Sequence, residues 1–447
     1  MSRITPLSGF PEFLPSQRAA ELAVIDSLRE TFELHGFASL ETRAVEPMEQ
    51  LLSKGETSKE VYVLRRLQET QGDTDTGLGL HFDLTVPLAR YVLENAGKLE
   101  FPLRRYAIQR CWRGERPQEG RYREFTQADI DIIGRDELSF DADVEVTEVM
   151  AAALSRLPLP AVTLQINNRK LIEGFYTGLG AQDPATVIRV VDKLDKVGPD
   201  GVRVQLRTEA GLDDAQVDLC LALAQITGTD VSFAGEVRAL GVSHPLLDEG
   251  LRDLVRAIAA AAPFATERFR VVADLRIARG LDYYTGTVFE GRMKTHGDIA
   301  ICAGGRYDAL ASDGRITYPG VGISLGVTRV LAPLIGRGLL DGSRSVPSAV
   351  LVALPTEEDR PRAREVARAL RERGIATEVA PIAAKFGRQI RHADRRGIPY
   401  VWFPGGPGRA DSVKDIRSGE QVDADPDAWR PPTADLRPQI VTKETHP

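Results

Sequence analysis

Residues 103–113 and 124–134 are two β-rich runs, and between them lies a polar loop, Gly114-Glu-Arg-Pro-Gln-Glu-Gly-Arg-Tyr-Arg123. Two such runs across one Gly-containing loop predict an antiparallel hairpin with a long charged tip. In it Arg113, Arg116, Arg121 and Arg123 alternate with Glu115, Glu119 and Glu124 around Pro117 and Gly120. An arginine fork at a strand end suits a phosphate, because its donors match paired oxygens. A solvated tip of mixed charge is the plainer reading of the same residues.

The elements around the hairpin follow from periodicity. Ser16 can cap a helix reaching Leu34, with Leu22, Ile25, Arg29 and Phe32 as its stripe and Gly36 as its stop. Residues 37–45 alternate like a strand. Residues 79–95 read as a short strand and a helix starting near Pro87, 140–155 as a helix and 161–167 as a strand. From 170 to 265 the signal is helical, at 185–195, 214–226 and 246–261. Strands return at 270–276, 283–291 and 298–303, and a Gly-rich strand-to-helix passage covers 319–337. After a boundary near 341–347, strands at 349–354, 376–380 and 399–403 alternate with helices at 358–373 and 385–396, as in a compact α/β domain. The Pro-rich tail after 425 reads as loosely ordered.

Composition excludes several classes. At ~150 residues per domain, 447 residues suggest about three domains. Apolar residues at 43% and charged residues at 27% argue against wholesale disorder. With 57 basic and 64 acidic side chains, net charge −7, histone-like binding is excluded, though not a local basic patch. The three cysteines, Cys111, Cys220 and Cys302, form no CxxC, and the six histidines form no HxH or HExxH. The N-terminus has no apolar h-region and no run approaches ~18 apolar residues, so a cytoplasmic protein is expected. Neither GxxxxGK[ST] nor GxGxxG occurs, so a nucleotide would have to be held by side-chain cations.

Two further runs carry chemistry-bearing residues. Arg279-Gly-Leu-Asp-Tyr-Tyr284 cannot turn its three consecutive polar side chains, Asp282, Tyr283 and Tyr284, all inward; some must meet a partner or ligand. Gly304-Gly-Arg-Tyr-Asp308 is followed by Gly320-Val-Gly322-Ile-Ser-Leu-Gly326-Val-Thr-Arg329, whose glycines allow close approach of a flat ligand or equally close strand–helix packing.

Taken together, these runs resemble class II aminoacyl-tRNA synthetases and, within them, the histidyl-tRNA synthetase family. Arg113–Gly134 resembles the class's second motif and Gly320–Arg329 its third, while 279–284 and 304–308 resemble the two histidine signatures. The resemblance runs from Gly9 to about Val422. It implies an α+β catalytic domain with an antiparallel six-stranded sheet (1–169 and 266–340), a helical insertion domain (170–265), a C-terminal α/β anticodon-binding domain (346–425) and a flexible tail (426–447). It also implies a homodimer, although Arg43 stands where many class II enzymes have proline.

The implied activity is ATP-dependent formation of histidyl-adenylate with release of pyrophosphate, then transfer to the 3′ end of histidine tRNA, with magnesium accompanying ATP and no metal held by protein ligands alone. By resemblance Arg113 and Arg279 are the catalytic cations. Asp83 and Thr85 hold the α-ammonium of histidine and Gln127 its carboxylate, while Asp131 and Tyr284 take the ring nitrogens, with Tyr283 and Tyr307 nearby. Asp83 and Asp131 replace the glutamates of many bacterial members. Glu115, Arg121 and Arg329 complete the ATP site with Arg113. Arg116 and Gln118 face the tRNA acceptor end. Lys385, Arg388, Arg391 and Arg395 recur on one helix face, opposite Phe386, Ile390 and Ala393, and meet the anticodon arm. Gly405-Gly-Pro-Gly-Arg-Ala-Asp411 replaces an acidic segment common in the family.

A rival from another class is a catalytically silent paralogue, the regulatory subunit of ATP phosphoribosyltransferase. Such subunits tend to lose the phosphate-binding arginines and the anticodon domain. This chain keeps Arg113, Arg121, Arg279 and Arg329 and has an α/β segment after 346.

Overall fold

The computed structural model describes residues 5–52, 60–66, 77–277, 283–294, 298–312, 314–406 and 408–443. The chain forms two compact units: Met1–Pro11 with Ser27–Val330, and Glu12–Asp26 with Leu331–Pro447.

The first unit is organised by a nine-stranded sheet. Its middle is a run of six antiparallel strands, in the order Leu103–Trp112, Glu124–Ile133, Thr317–Gly326, Asp298–Ser312, Thr287–Lys294 and Val162–Asn168. The expected six-stranded sheet is therefore present but extended. Ala38–Ser39 adds a parallel edge beside Leu103–Trp112, while Phe269–Asp274 and Thr227–Gly228 extend the other side.

The hairpin strands end within a residue of expectation. In Glu124–Ile133 the even positions Ala128, Ile130 and Ile132 are fully buried. Helix Asp141–Arg156 packs on the sheet and buries Val146, Val149 and Met150. Each such aliphatic contributes roughly 1.5–3 kcal/mol of burial. The odd positions Gln127, Asp129 and Asp131 share the opposite face, because side chains alternate along a strand.

Several expectations change. Residues 37–45 form only two short pieces, Ala38–Ser39 and Val45–Pro47. Between them the side-chain amide of Gln109 receives Thr42 N–H and donates to Thr42 C=O, at 3.1 and 2.8 Å, in place of a ladder. The first helix, Pro15–Leu34, leaves Leu22 43% exposed and buries Val24, Ile25, Leu28 and Phe32. The strand expected at 283–291 starts only at Thr287. Tyr283 and Tyr284 precede it and pack with Leu88, Val92, Ile133 and Tyr307. Arg43 joins a charged network: its guanidinium bonds the fully buried Glu46 at 3.1 Å, and Arg90 bonds the same carboxylate at 2.8 Å.

Residues 169–261 are mainly helical, with Arg169–Gly178 and Pro245–Ala261 crossing closely. Gly174 and Gly250 make that crossing possible, since a Cβ on either would strike the other helix's backbone.

In the second unit, strands Thr377–Val379, Val350–Val352 and Tyr400–Phe403 are parallel, and Ser412–Asp415 and Gln421–Asp423 continue antiparallel. Helices Arg360–Glu372 and Phe386–Arg395 complete the α/β arrangement. The tail is anchored where loose order was expected. Trp429 packs edge-on against Tyr400 and Trp402, Asp435 accepts from Tyr400 and Arg417, and Ile440–Thr442 pairs with Leu340–Gly342. Among the described residues, no helix is long and apolar enough to cross a membrane.

Candidate active site

The polar face of the hairpin opens into a cavity of about 510 Å³ in the first unit. The sheet supplies its floor through Gln127, Asp129, Ala303 and Ser324. Asp83 and Thr85 enter from the start of helix Thr85–Asn95, where the Asp83 carboxylate accepts from Val86 N–H at 3.1 Å.

Three arginines converge on this space. Arg113 ends the first hairpin strand; its Nε donates to Phe82 C=O at 2.9 Å and its guanidinium stands 5.1 Å from the Phe125 ring centroid. Arg121 follows Gly120, whose φ of +75° makes the turn, and pairs with Glu115 at 3.6 Å. Arg329 lies in the first turn of helix Val327–Gly336. Thr328 beside it accepts from Thr126 N–H at 2.8 Å and so ties that helix to the hairpin. Burial, then Arg121 and Arg113, lowers the Arg329 pKa, and its buried Nε has no hydrogen-bond partner among the described residues. A guanidinium remains charged under these conditions, so mutually repelling cations with an unmet donor form a place for an anion.

A second group in the lining is acidic and aromatic. Tyr284 belongs to it, and burial, followed by Asp131, Asp129 and Asp83, raises its pKa, keeping the phenol protonated as a donor. Gln127 bonds Ser324 through its amide nitrogen, and its Oε1 is buried without a partner among the described residues.

The cavity thus gathers Asp83, Thr85, Arg113, Glu115, Arg121, Gln127, Tyr284 and Arg329 from the residues singled out in the sequence. Asp131 and Tyr307 are not among the lining residues. Asp131 is 4% exposed, bonds Arg105 at 2.7 Å and accepts from the Tyr307 hydroxyl at 2.6 Å. Tyr283 stacks on Tyr307 at 5.7 Å. Arg279, with its neighbours 278–282, lies outside the described residues. Sequence reasoning missed Glu60, Tyr122, Phe125, Asp129, Cys302 and Ser324. Asp129 could have been found from its period-two spacing with Gln127 and Asp131. Cys302 is an inert wall: burial lifts its thiol to about 12.

Comparison with known proteins decides the family. The family model described as histidyl-tRNA synthetase matches residues 9–330, and that described as anticodon binding domain matches 349–424. The chain belongs to the histidyl-tRNA synthetase family. It is 60% identical to the histidine–tRNA ligase of Cutibacterium acnes, over 99% of each chain, and 55% identical to that of Micrococcus luteus, also over 99% of each. The crystal structure of histidyl-tRNA synthetase from Nostoc sp. PCC 7120 superposes with a TM-score of 0.83 at 31% identity, covering 95% of this chain and 97% of that one.

The remaining family-derived positions are not among the residues lining the cavity. Arg116 and Gln118 are in the hairpin loop, where Gln118 and Arg121 exchange backbone hydrogen bonds. In the second unit Lys385, Arg388, Arg391 and Arg395 are all exposed. Lys385 stands at the N-cap position rather than inside the helix, and Phe386 is 43% exposed instead of facing the core. The side chain that pins this helix is Gln389, whose amide bonds both Leu354 N–H and Leu354 C=O at 2.8 Å. Asp411, at the end of the Gly405–Asp411 segment, is taken up by Trp402 Nε1 at 3.0 Å, Gly405 N–H at 2.7 Å and Arg362 at 3.2 Å.

Proposed function

We propose that the cavity joins L-histidine to ATP and passes the histidyl group to histidine tRNA. The observation that carries this reading is one cavity lined both by a cationic group, Arg113, Arg121 and Arg329, and by an acidic, aromatic group, Asp83, Asp129 and Tyr284. A triphosphate fits the first and an amino acid with an N–H-bearing ring fits the second.

The histidine carboxylate attacks the α-phosphorus and pyrophosphate leaves. Charge builds on the phosphoryl oxygens, so fixed cations aimed there lower the barrier. Arg113, held by Phe82 C=O and Phe125, needs little reorganisation to bridge the carboxylate and α-phosphate. Arg279 is the second cation at the α-phosphate. Arg121 and Arg329 take the outer phosphates, with Arg329 able to stack on adenine, and Glu115 accepts from the adenine amino group. Asp83 and Thr85 take the α-ammonium, Gln127 helps to place the carboxylate, and Asp131 and Tyr284 take the ring nitrogens, with Tyr283 and Tyr307 nearby. Magnesium enters with ATP and neutralises phosphate charge; among the described residues no three His, Cys, Asp or Glu side chains converge to hold a metal.

In the second unit, the exposed cations of Phe386–Arg395 hold the anticodon arm, while Arg116 and Gln118 meet the acceptor end. The reading includes a cytoplasmic homodimer, with residues 1–169 and 266–340 as catalytic domain, 170–265 as insertion and 346–425 as anticodon-binding domain. The test is ATP–pyrophosphate exchange with each amino acid in turn, where only L-histidine supports exchange. The regulatory-subunit reading requires no exchange and binding to a phosphoribosyltransferase instead. Against it stand Arg113, Arg121 and Arg329, all of which line the cavity.

A further inference from the structure

Strand Val162–Asn168 runs into helix Arg169–Gly178 without an intervening loop, and the junction is bonded to the turn that carries Tyr284 into the cavity. The ladder between this strand and Thr287–Lys294 ends at Asn168 opposite Thr287. Beyond it the helix start takes over the pairing. Arg169 N–H donates to Gly286 C=O at 2.8 Å, and the Arg169 guanidinium donates to Tyr284 C=O at 2.9 Å. Thr285, between them, is held by other groups: its N–H donates to Arg306 C=O at 2.8 Å and its hydroxyl donates to Asp308. A Cβ on Gly286 would come within 2.8 Å of the Arg306 side chain, and one on Gly305 within 2.7 Å of the Tyr284 ring, so bare glycines make room for both.

The two grips on this turn differ in origin. Arg306 and Asp308 belong to strand Asp298–Ser312 of the sheet. Arg169 opens the helical run 169–261 and is placed by it. Asn168 caps the helix by accepting from Lys170 N–H at 2.9 Å, and Glu173, one turn on, accepts from Arg169 Nε at 3.3 Å. Helix Pro245–Ala261 lies so close that a Cβ at Gly250 would stand 2.2 Å from the Leu171 nitrogen, and Lys170 pairs with Glu249 at 2.6 Å. A planar guanidinium braced at its Nε has little freedom left at its Nη1, so the position of the first helical turn sets that of the Tyr284 carbonyl.

We propose that Arg169 is a positioning residue for histidine binding: by holding the Tyr284 carbonyl it fixes the turn from which the Tyr284 hydroxyl meets the substrate ring, and through it the packing of the helical run bears on the amino-acid subsite. This rests on the histidine-activating reading of the cavity. Arg169 is not among the lining residues, so it acts through Tyr284 and not on the ligand. Its bond to the carbonyl is charge-assisted and its side chain is only 25% exposed, so water replaces that bond poorly. Without it the turn keeps its bonds to Arg306 and Asp308 but can tilt, and a shift of about 1 Å at the hydroxyl spoils a hydrogen bond to the ring.

The test measures ATP–pyrophosphate exchange in the full chain, varying histidine and ATP separately, with thermal melts of each protein. Arg169→Met keeps the apolar stem and removes the donors. It should raise the histidine KM by about tenfold, as for one charge-assisted hydrogen bond, and leave the ATP KM within about threefold. Arg169→Lys keeps one cationic donor and should bring the histidine KM back to within about threefold of the parent. Tyr284→Phe removes the hydroxyl that the turn presents, so adding Arg169→Met to it should raise the histidine KM by less than about threefold more. Glu173→Gln, which loosens the brace alone, should raise it by about threefold without lowering the melt, and it decides the matter if the methionine variant folds poorly. A histidine KM within about twofold of the parent in Arg169→Met, or unchanged in Glu173→Gln where methionine is not tolerated, overturns the proposal. So does an equal rise in both KM values without rescue by lysine, which makes Arg169 structural only. Fully additive losses in the pair overturn it too, because Arg169 then does not act through Tyr284. Absence of exchange in the parent overturns the histidine reading itself, and the assignment with it.

Discussion

The arginines of the cavity and the cations of the Phe386–Arg395 helix carry the same charge but are held in different ways. Arg113 is fixed by a backbone carbonyl and an aromatic ring, and Arg329 has a buried donor left unmet among the described residues. Lys385, Arg388, Arg391 and Arg395 extend into solvent from a helix anchored on its other side by Gln389 and Ala393. Fixed, partly desolvated cations act through geometry, so each one matters to a transition state. Exposed cations act through number, so each contributes a modest, salt-screened share of affinity for a polyanion.

The sharpest way to break this contrast is in the cavity. Arg113→Ala should lower the activation rate by about 10³, near the top of the range for one preorganised donor, and Arg279→Ala by about 10²–10³. Histidine binding should weaken much less for Arg279→Ala, a split that pre-steady-state exchange against calorimetry can read. Equal losses in rate and in histidine affinity would make Arg279 a ground-state ligand.

Neutralising Lys385, Arg388 and Arg395 together should leave exchange intact. It should raise the tRNA KM and flatten the log–log salt dependence of charging by about one unit for each phosphate no longer neutralised. Normal charging by this triple variant would reduce the stripe to a solvated face. Gln118→Ala lies between the two regimes, on the loop yet near the chemistry. It should slow transfer to tRNA by about fivefold, the value of one ordinary hydrogen bond, without changing adenylate formation.

The smallest effect is on stability. Asp129 titrates near 7 in the folded chain and at ~3.9 when unfolded. Between those values the unfolded state releases a proton that the folded state keeps. This contribution to stability is full below about pH 4 and is lost as pH rises through about 7. Asp129→Asn removes the slope. Its melting temperature should therefore gain on the parent by a few degrees between about pH 5 and pH 8. A constant gap across that range would show that Asp129 does not titrate there.

The hairpin strands, the helix after residue 140 and the alternating C-terminal segment announce themselves in the sequence by period and by Gly and Pro punctuation. Much of the cavity lining is legible too, through the family's motifs. Which of its acidic groups is already partnered is not. Period two puts Gln127, Asp129 and Asp131 on one face, but the partner of each depends on a neighbouring strand, and Arg105 lies 26 residues earlier in the chain. The 37–45 segment misleads because Gln109, far along the chain, meets its backbone groups with a side chain. The tail misleads because proline content hides the pocket that Tyr400 and Trp402 make for Trp429. In each case a long-range interaction overrides a local pattern.

The most direct measurement is ATP–pyrophosphate exchange by the purified full chain with magnesium, run across the full set of amino acids and followed by charging of histidine tRNA. The account predicts exchange with L-histidine alone and charging on the same preparation. Exchange with another amino acid, or no exchange together with binding to a phosphoribosyltransferase, would contradict it.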